Sequence, residues 1–137
     1  MVTRDRVVSE QNGTPTPTGN LDGAAAPAVL VVDDEWRIVD LLAELLEDEG
    51  YIVTRAYDGA GALEAVTRYP PDLVIADVMM PRLDGLALTA EMRRRGLMMP
   101  VILMSAVVRP RANNVIFVPK PFDIDAVLAL IEHTLTR

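Results

Sequence analysis

Four short stretches constrain this chain more than any other feature. VLVV (29–32), LVIA (73–76), VILM (101–104) and VIFV (115–118) are continuous apolar runs rich in β-branched residues, and YIVTRA (51–56) is a weaker, more alternating version. A strand with one face in water alternates apolar and polar side chains. A strand that is apolar throughout has to be covered on both faces, which is the pattern of a parallel sheet. Helical patterns lie between the runs. In 34–49, Ile38, Leu41, Leu42, Leu45 and Leu46 form one stripe with Asp40, Glu44, Glu47 and Asp48 opposite, and Gly50 supplies a stop. Shorter helical patterns cover 59–68 and 84–95. The last, 123–135, opens on Asp123 as N-cap and runs through Ile124, Val127, Leu128, Ile131 and Leu135. The order β-α-β-α-β-α-β-(short)-β-α predicts a doubly wound α/β domain on a five-stranded parallel sheet.

Residues 1 to 27 break the pattern. They are rich in Thr, Pro, Gly and Ala, with too little apolar surface to offset chain entropy, so a disordered tail is expected there and a folded domain over 28–137. The formal net charge of −7 argues against a nucleic-acid surface, because phosphate contacts need a basic field. The absence of cysteine excludes disulfides, thiolate chemistry and cysteine zinc sites. No apolar run approaches the roughly 18–20 residues of a membrane span, and the N-terminus lacks the apolar core of a signal peptide. The expectation is a cytoplasmic domain that meets neither nucleic acid nor membrane.

The polar residues that follow the strands are the candidate site. Asp33 and Asp34 come straight after the first run, Asp77 after the third strand, Ser105 after the fourth, and Lys120 just after the fifth. In an open parallel sheet the carboxyl ends share one edge, where ligands bind. Taken singly, each residue has a duller explanation: an acid after a strand is commonly a helix N-cap, and a serine a turn residue. Their convergence argues for a site. Three carboxylates would repel one another unless a cation joined them. With only oxygen donors on offer, and few of them, Mg²⁺ fits better than a full Ca²⁺ cage. Mg²⁺ attracts phosphoryl oxygens, a lysine and a hydroxyl supply further contacts, and a strand-end carboxylate can accept the phosphoryl group covalently. Lys120 is also the sole lysine of the chain, the other basic side chains all being arginine.

VLVVDDE (29–35), AYDGAGALEAV (56–66), DLVIADVMMPRLDG (72–85), VILMSA (101–106) and FVPKPF (117–122) together resemble the response-regulator receiver domain of two-component signalling, from about Ala28 to Arg137. The resemblance implies a flavodoxin-like sheet of order 2-1-3-4-5. It implies that Asp77 is the phosphoacceptor, that Asp33 and Asp34 hold Mg²⁺ with it, and that the Met79 backbone carbonyl completes the metal site. Ser105 and Phe117 take the positions of the switch pair, and Lys120 that of the lysine facing the phosphoryl oxygens. Pro81 and Gly85 match the bend after the acceptor, and Pro121 the proline whose bond with the lysine is cis. Expected partners are a sensor histidine kinase or a histidine phosphotransfer protein, together with a downstream protein target.

One departure stands out. Between Ser105 and the VIFV strand lie nine residues, AVVRPRANN, with Pro110 among them. A typical helix needs about 11–12 residues plus its loops, so the fourth helix of the family pattern is expected to be reduced or absent. The final helix carries Ala126, Ala129 and Leu130 beside its main stripe, a breadth suited to covering that gap or to a homodimer contact. Arg93, Arg94 and Arg95 read as a solvated cluster at a helix end. A haloacid-dehalogenase-like hydrolase would need a second acid two residues after the nucleophile, where Met79 stands. A docking module that has lost phosphorylation would have lost the acceptor or the lysine, and both are present. The expectation is a single-domain, non-enzymatic receiver.

Overall fold

The computed structural model describes residues 26–106 and 114–136. In chain order the elements are β1 (Ala28–Val32), α1 (Trp36–Asp48), β2 (Ile52–Ala56), α2 (Gly59–Arg68), β3 (Leu73–Asp77), α3 (Gly85–Arg94), β4 (Val101–Ser105), β5 (Val115–Pro119) and α4 (Ile124–Leu135). The five strands form one sheet of order β2-β1-β3-β4-β5, parallel at every pairing. Of the expected disordered tail only Ala26 and Pro27 are described; there the Pro27 carbonyl accepts the Ile52 N–H at 3.0 Å. Strand β4 ends at Ser105 and β5 begins at Val115, so the expected reduction of a helix between them falls largely on residues 107–113, outside the described residues.

Burial follows strand position. β3 and β4 are buried at every residue, as continuous apolar runs require, whereas β2 alternates and β5 is half-buried along most of its length. The last two are the sheet edges, which is where Pro119 is tolerated, because an edge strand need not donate every N–H. Successive side chains leave a strand on opposite faces, so the sheet splits the core in two. Leu30, Val32, Val74 and Leu103 pack with Ala62 and Val66 of α2 and Leu88 and Met92 of α3. Val31, Ile75, Ile102 and Met104 pack on the other face with Leu42 and Leu46 of α1 and Val127 and Ile131 of α4.

Helix ends are capped by short acids. Asp58 accepts from the Gly61 N–H at 2.7 Å, Asp84 from Ala87 at 2.8 Å, and Asp123 from Asp125 at 2.9 Å. Gly50 ends α1 with φ +98°, which a side chain rarely adopts. Two details differ from expectation. The buried row of α1 is Val39, Leu42, Ala43 and Leu46, the i, i+3, i+4, i+7 spacing of one face. Leu41 falls off that row and is 41% exposed. The arginine cluster also divides. Arg94 and Arg95 pair with Glu91 at 2.6 and 2.8 Å. Arg93 instead turns inward, donating to the Leu97 carbonyl at 2.7 Å and the Asn114 carbonyl at 3.4 Å, and its burial pulls its pKa below the usual arginine range. It ties the end of α3 to the start of β5 rather than lying in solvent.

The centre and the edge of the sheet make a quantitative contrast. Ile75→Ala, in the fully buried central strand, is expected to lower the unfolding free energy by about 2–5 kcal/mol. Ile52→Ala, on the exposed edge, is expected to cost less than about 1 kcal/mol in the same urea titration.

Candidate functional site

The carboxyl ends of two adjacent strands deliver the three acids. β1 runs directly into Asp33 and Asp34, and its neighbour β3 ends on Asp77. Each of the three offers a carboxylate oxygen within 4.8 Å of the others. Asp33 and Asp77 are 2% and 4% exposed, while Asp34 stands open to solvent. Lys120 arrives from the far side of the sheet. Its backbone N–H donates to the Ser105 carbonyl at 2.9 Å, the Lys120–Pro121 bond is cis, and Nζ lies 2.6 Å from Asp77 Oδ1. The segment after Asp77 is tied down by two backbone bonds. Val78 donates to the Met104 carbonyl at 2.9 Å, and Gly85 donates to the Val78 carbonyl at 2.9 Å.

The cluster is only partly compensated in charge. Burial pushes the Asp33 carboxyl up to about 6, with the Asp77 charge adding to the shift; the Glu35 N–H, which donates to Asp33 Oδ1 at 2.9 Å, and the Lys120 ammonium oppose it. Asp33 Oδ2 and Asp77 Oδ1 are buried yet receive no directed hydrogen bond, although the latter faces the Lys120 ammonium. Buried polar atoms are ordinarily satisfied; Asp33 Oδ2 has no donor and Asp77 Oδ1 has only the Lys120 ammonium, so the cluster fits a further cationic partner. A donor set made only of oxygens suits a hard divalent ion.

Asp33, Asp34, Asp77 and Lys120 line one cleft together with Ile38, Leu41, Phe122 and Ile124. The apolar wall was not anticipated from the sequence. In the sequence Leu41 belongs to the apolar stripe of its helix, and Phe122 to the FVPKPF motif. Ser105 and Phe117 do not line the cleft. Ser105 is buried at the end of β4, and Phe117 is half-buried on β5 opposite Leu103, packed against the core under α2 and α3. Met79 lies in the loop after β3 with its side chain 73% exposed, so any part it takes falls to its backbone. Trp36, at the start of α1, is exposed and stacks under the Arg37 guanidinium at 4.8 Å.

The sheet order and the acidic carboxyl edge define the doubly wound, flavodoxin-like class. Comparison with known proteins narrows it. Residues 29–132 match the family described as response regulator receiver domain, and the chain belongs to that family. It is 37% identical over 116 residues to the DNA-binding transcriptional regulator NtrC of Escherichia coli K12, covering 80% of this chain and 25% of that protein. It is 38% identical over 129 residues to the transcriptional regulatory protein PdtaR of Mycobacterium tuberculosis H37Rv, covering 88% of this chain and 62% of the relative. Among solved structures, the receiver domain of the Francisella response regulator 1452 superposes with a TM-score of 0.75 at 30% identity, covering 81% of this chain and 98% of that one. The chemotaxis protein CheY4 of Vibrio cholerae gives 0.73 at 28%, covering 81% and 100%. The chain thus spans a quarter to under two thirds of the curated relatives it matches. No described helix is long and apolar enough to cross a membrane.

The raised Asp33 carboxyl has a signed consequence for stability. Its value moves from 3.8 to about 6, so the ionised form opposes folding. That cost is absent below about pH 4, grows between pH 4 and 6, and is complete above. In EDTA at pH 7.5, Asp33→Asn is therefore expected to stabilise the fold by on the order of 2 kcal/mol, read as several degrees in thermal midpoint, and to have little effect at pH 4. An unchanged or lower midpoint at pH 7.5 contradicts this account of the cluster.

Proposed function

We propose that the chain is a phosphoacceptor receiver, phosphorylated on Asp77 by a sensor histidine kinase or a histidine phosphotransfer protein. The observation that carries this reading is the convergence of Asp33, Asp34 and Asp77 within 4.8 Å, with Lys120 on Asp77 Oδ1 and a buried Asp33 Oδ2 that has no donor. Asp33, Asp34, Asp77 and the Met79 carbonyl would hold Mg²⁺, which when bound neutralises the acids and draws phosphoryl oxygens to them. A carboxylate oxygen of Asp77 attacks phosphorus, the phosphorus–nitrogen bond of the donor phosphohistidine breaks, and the imidazole leaves with that electron pair. Asp77 suits the role because the β3 backbone fixes it and its neighbours exclude bulk water. Lys120 exchanges its carboxylate contact for the transferred phosphoryl oxygens.

Ser105 and Phe117 are one strand apart and two registers apart, Ser105 opposite Pro119 and Phe117 opposite Leu103. A Ser105 hydroxyl drawn to the phosphoryl group would leave space that Phe117, only half-buried, can enter. That pair supplies the two-state element that a downstream protein reads. The role is signalling rather than turnover of a free substrate, and the output goes through protein contacts.

Incubation with a small phosphodonor and Mg²⁺, followed by intact mass, is expected to show one phosphoryl adduct per chain and none on Asp77→Asn. No adduct on the native chain, or an equal one on the variant, sinks the reading. Lys120→Arg is expected to keep the fold and most of the Mg²⁺ affinity, because the planar guanidinium still carries charge. It should lose most of the phosphorylation-dependent change in Phe117 side-chain resonances. A native-like response in that variant contradicts the assigned role of the lysine.

A further inference from the structure

The AYDG turn (56–59) takes no part in this chemistry, yet it touches both halves of the site. The carbonyl of Ala56, the last residue of β2, accepts the Asp33 N–H at 3.3 Å, so the turn holds the backbone that carries the acidic pair. Two residues on, the Asp58 cap on the Gly61 N–H, at 2.7 Å, fixes where α2 begins. Gly59 is buried there against the loop after Asp77. A Cβ built on it would collide with the Leu83 carbonyl oxygen and fall 2.7 Å from Leu83 Cβ. Both are close to the main chain, so no flexible side-chain tip can swing aside. Nor is α2 free to retreat, because Ala62 and Val66 anchor it in the core.

The loop has little slack of its own. Leu83 donates to the Pro81 carbonyl at 2.8 Å, and Arg82 sits at φ +67°, an uncommon conformation for a side-chain-bearing residue. At the far end, a Cβ on Gly85 would lie 2.5 Å from the Asp77 carbonyl oxygen. The loop is thus pinched between two bare backbones, with Met79 and Asp77 on the stretch between. A push at Leu83 therefore displaces the stretch that carries Met79.

We propose that Gly59 is a positioning residue for the divalent-cation site. The AYDG turn sets the spacing between the Asp33–Asp34 segment and the loop that follows Asp77, and so tunes cation affinity from outside the cleft. The functional part of this rests on the phosphoacceptor reading; the geometric part does not. Gly61 supplies the control, since it lies on the same helix and a Cβ there meets only Asp58 Oδ1, at 3.1 Å.

The test uses backbone amide resonances of the full chain, first metal-free and then titrated with Mg²⁺. Gly59→Ala is expected to shift the amides of residues 78–84 before any metal is added and to weaken Mg²⁺ binding about tenfold. Gly61→Ala is expected to leave those amides in place and the affinity within about twofold. If Gly59→Ala does not fold, Leu83→Gly keeps the carbonyl but removes the side-chain part of the same contact, Cβ and Cγ, without added volume, and is expected to weaken Mg²⁺ binding in a folded chain. Native affinity in the folded variant, or an equal loss in Gly61→Ala, overturns the proposal. A native chain that takes up no Mg²⁺ overturns the phosphoacceptor reading instead. The metal-free amides of the folded variant then decide for Gly59 alone, and unshifted resonances there refute it.

Discussion

The repulsion among three carboxylates at one end of a parallel sheet is the constraint to which the rest of the structure answers. Two unit charges within 4.8 Å oppose each other by about 3–4 kcal/mol at an effective dielectric near 20. Desolvation of Asp33 and Asp77 adds to that. A single ammonium at the cleft edge offsets part of the sum, and the Asp33 carboxyl is still pushed up, first by its burial and then by the Asp77 charge. Such a cluster persists only because stiff elements hold it. β1 and β3 are central, pair along their length and are buried on both faces, so their last residues cannot drift apart. Core packing supplies the force that a cation would otherwise have to supply alone.

Lysine rather than arginine fits that geometry. A compact ammonium approaches one Asp77 oxygen from the far side of the sheet and leaves the remaining faces of the cluster open. A guanidinium is broad and planar and would occupy them. Other ion pairs lie nearer the surface, where half-buried Arg55 bridges Asp40 and Glu47 and exposed Arg68 meets Glu64. Those pairs contribute little individually. Lys120 is held differently, by a backbone bond from its own N–H to Ser105, so that its position follows the β4–β5 register.

Much of this was legible in the residues because one physical rule linked pattern to place. Continuous apolar runs mark strands covered on both faces, and that alone puts Asp33, Asp34, Asp77, Ser105 and Lys120 on one edge. The cap at Asp123 is a local signal of the same kind, a short acid directly before a helical run; Asp58 and Asp84 cap their helices in the same way, although the sequence pattern did not single them out. What else escaped is tertiary. Leu41 counts as one more leucine in a helical stripe, and only the packing of α1 on the sheet turns it toward the cleft. Arg93 is one of three consecutive arginines until the nearby carbonyls of Leu97 and Asn114 single it out. The bare contact of Gly59 with Leu83 joins residues 24 apart in the chain, and no period or motif announces it.

The central claim is that the carboxylate cluster is built around a divalent cation. It is tested most directly by calorimetric titration of Mg²⁺ into the EDTA-stripped chain near neutral pH, with thermal unfolding followed in parallel. The account predicts one ion per chain, a rise in thermal midpoint that saturates with it, and loss of both in Asp34→Asn, whose side chain is exposed. Binding that is absent, or that survives in Asp34→Asn with native affinity and stoichiometry, would contradict it.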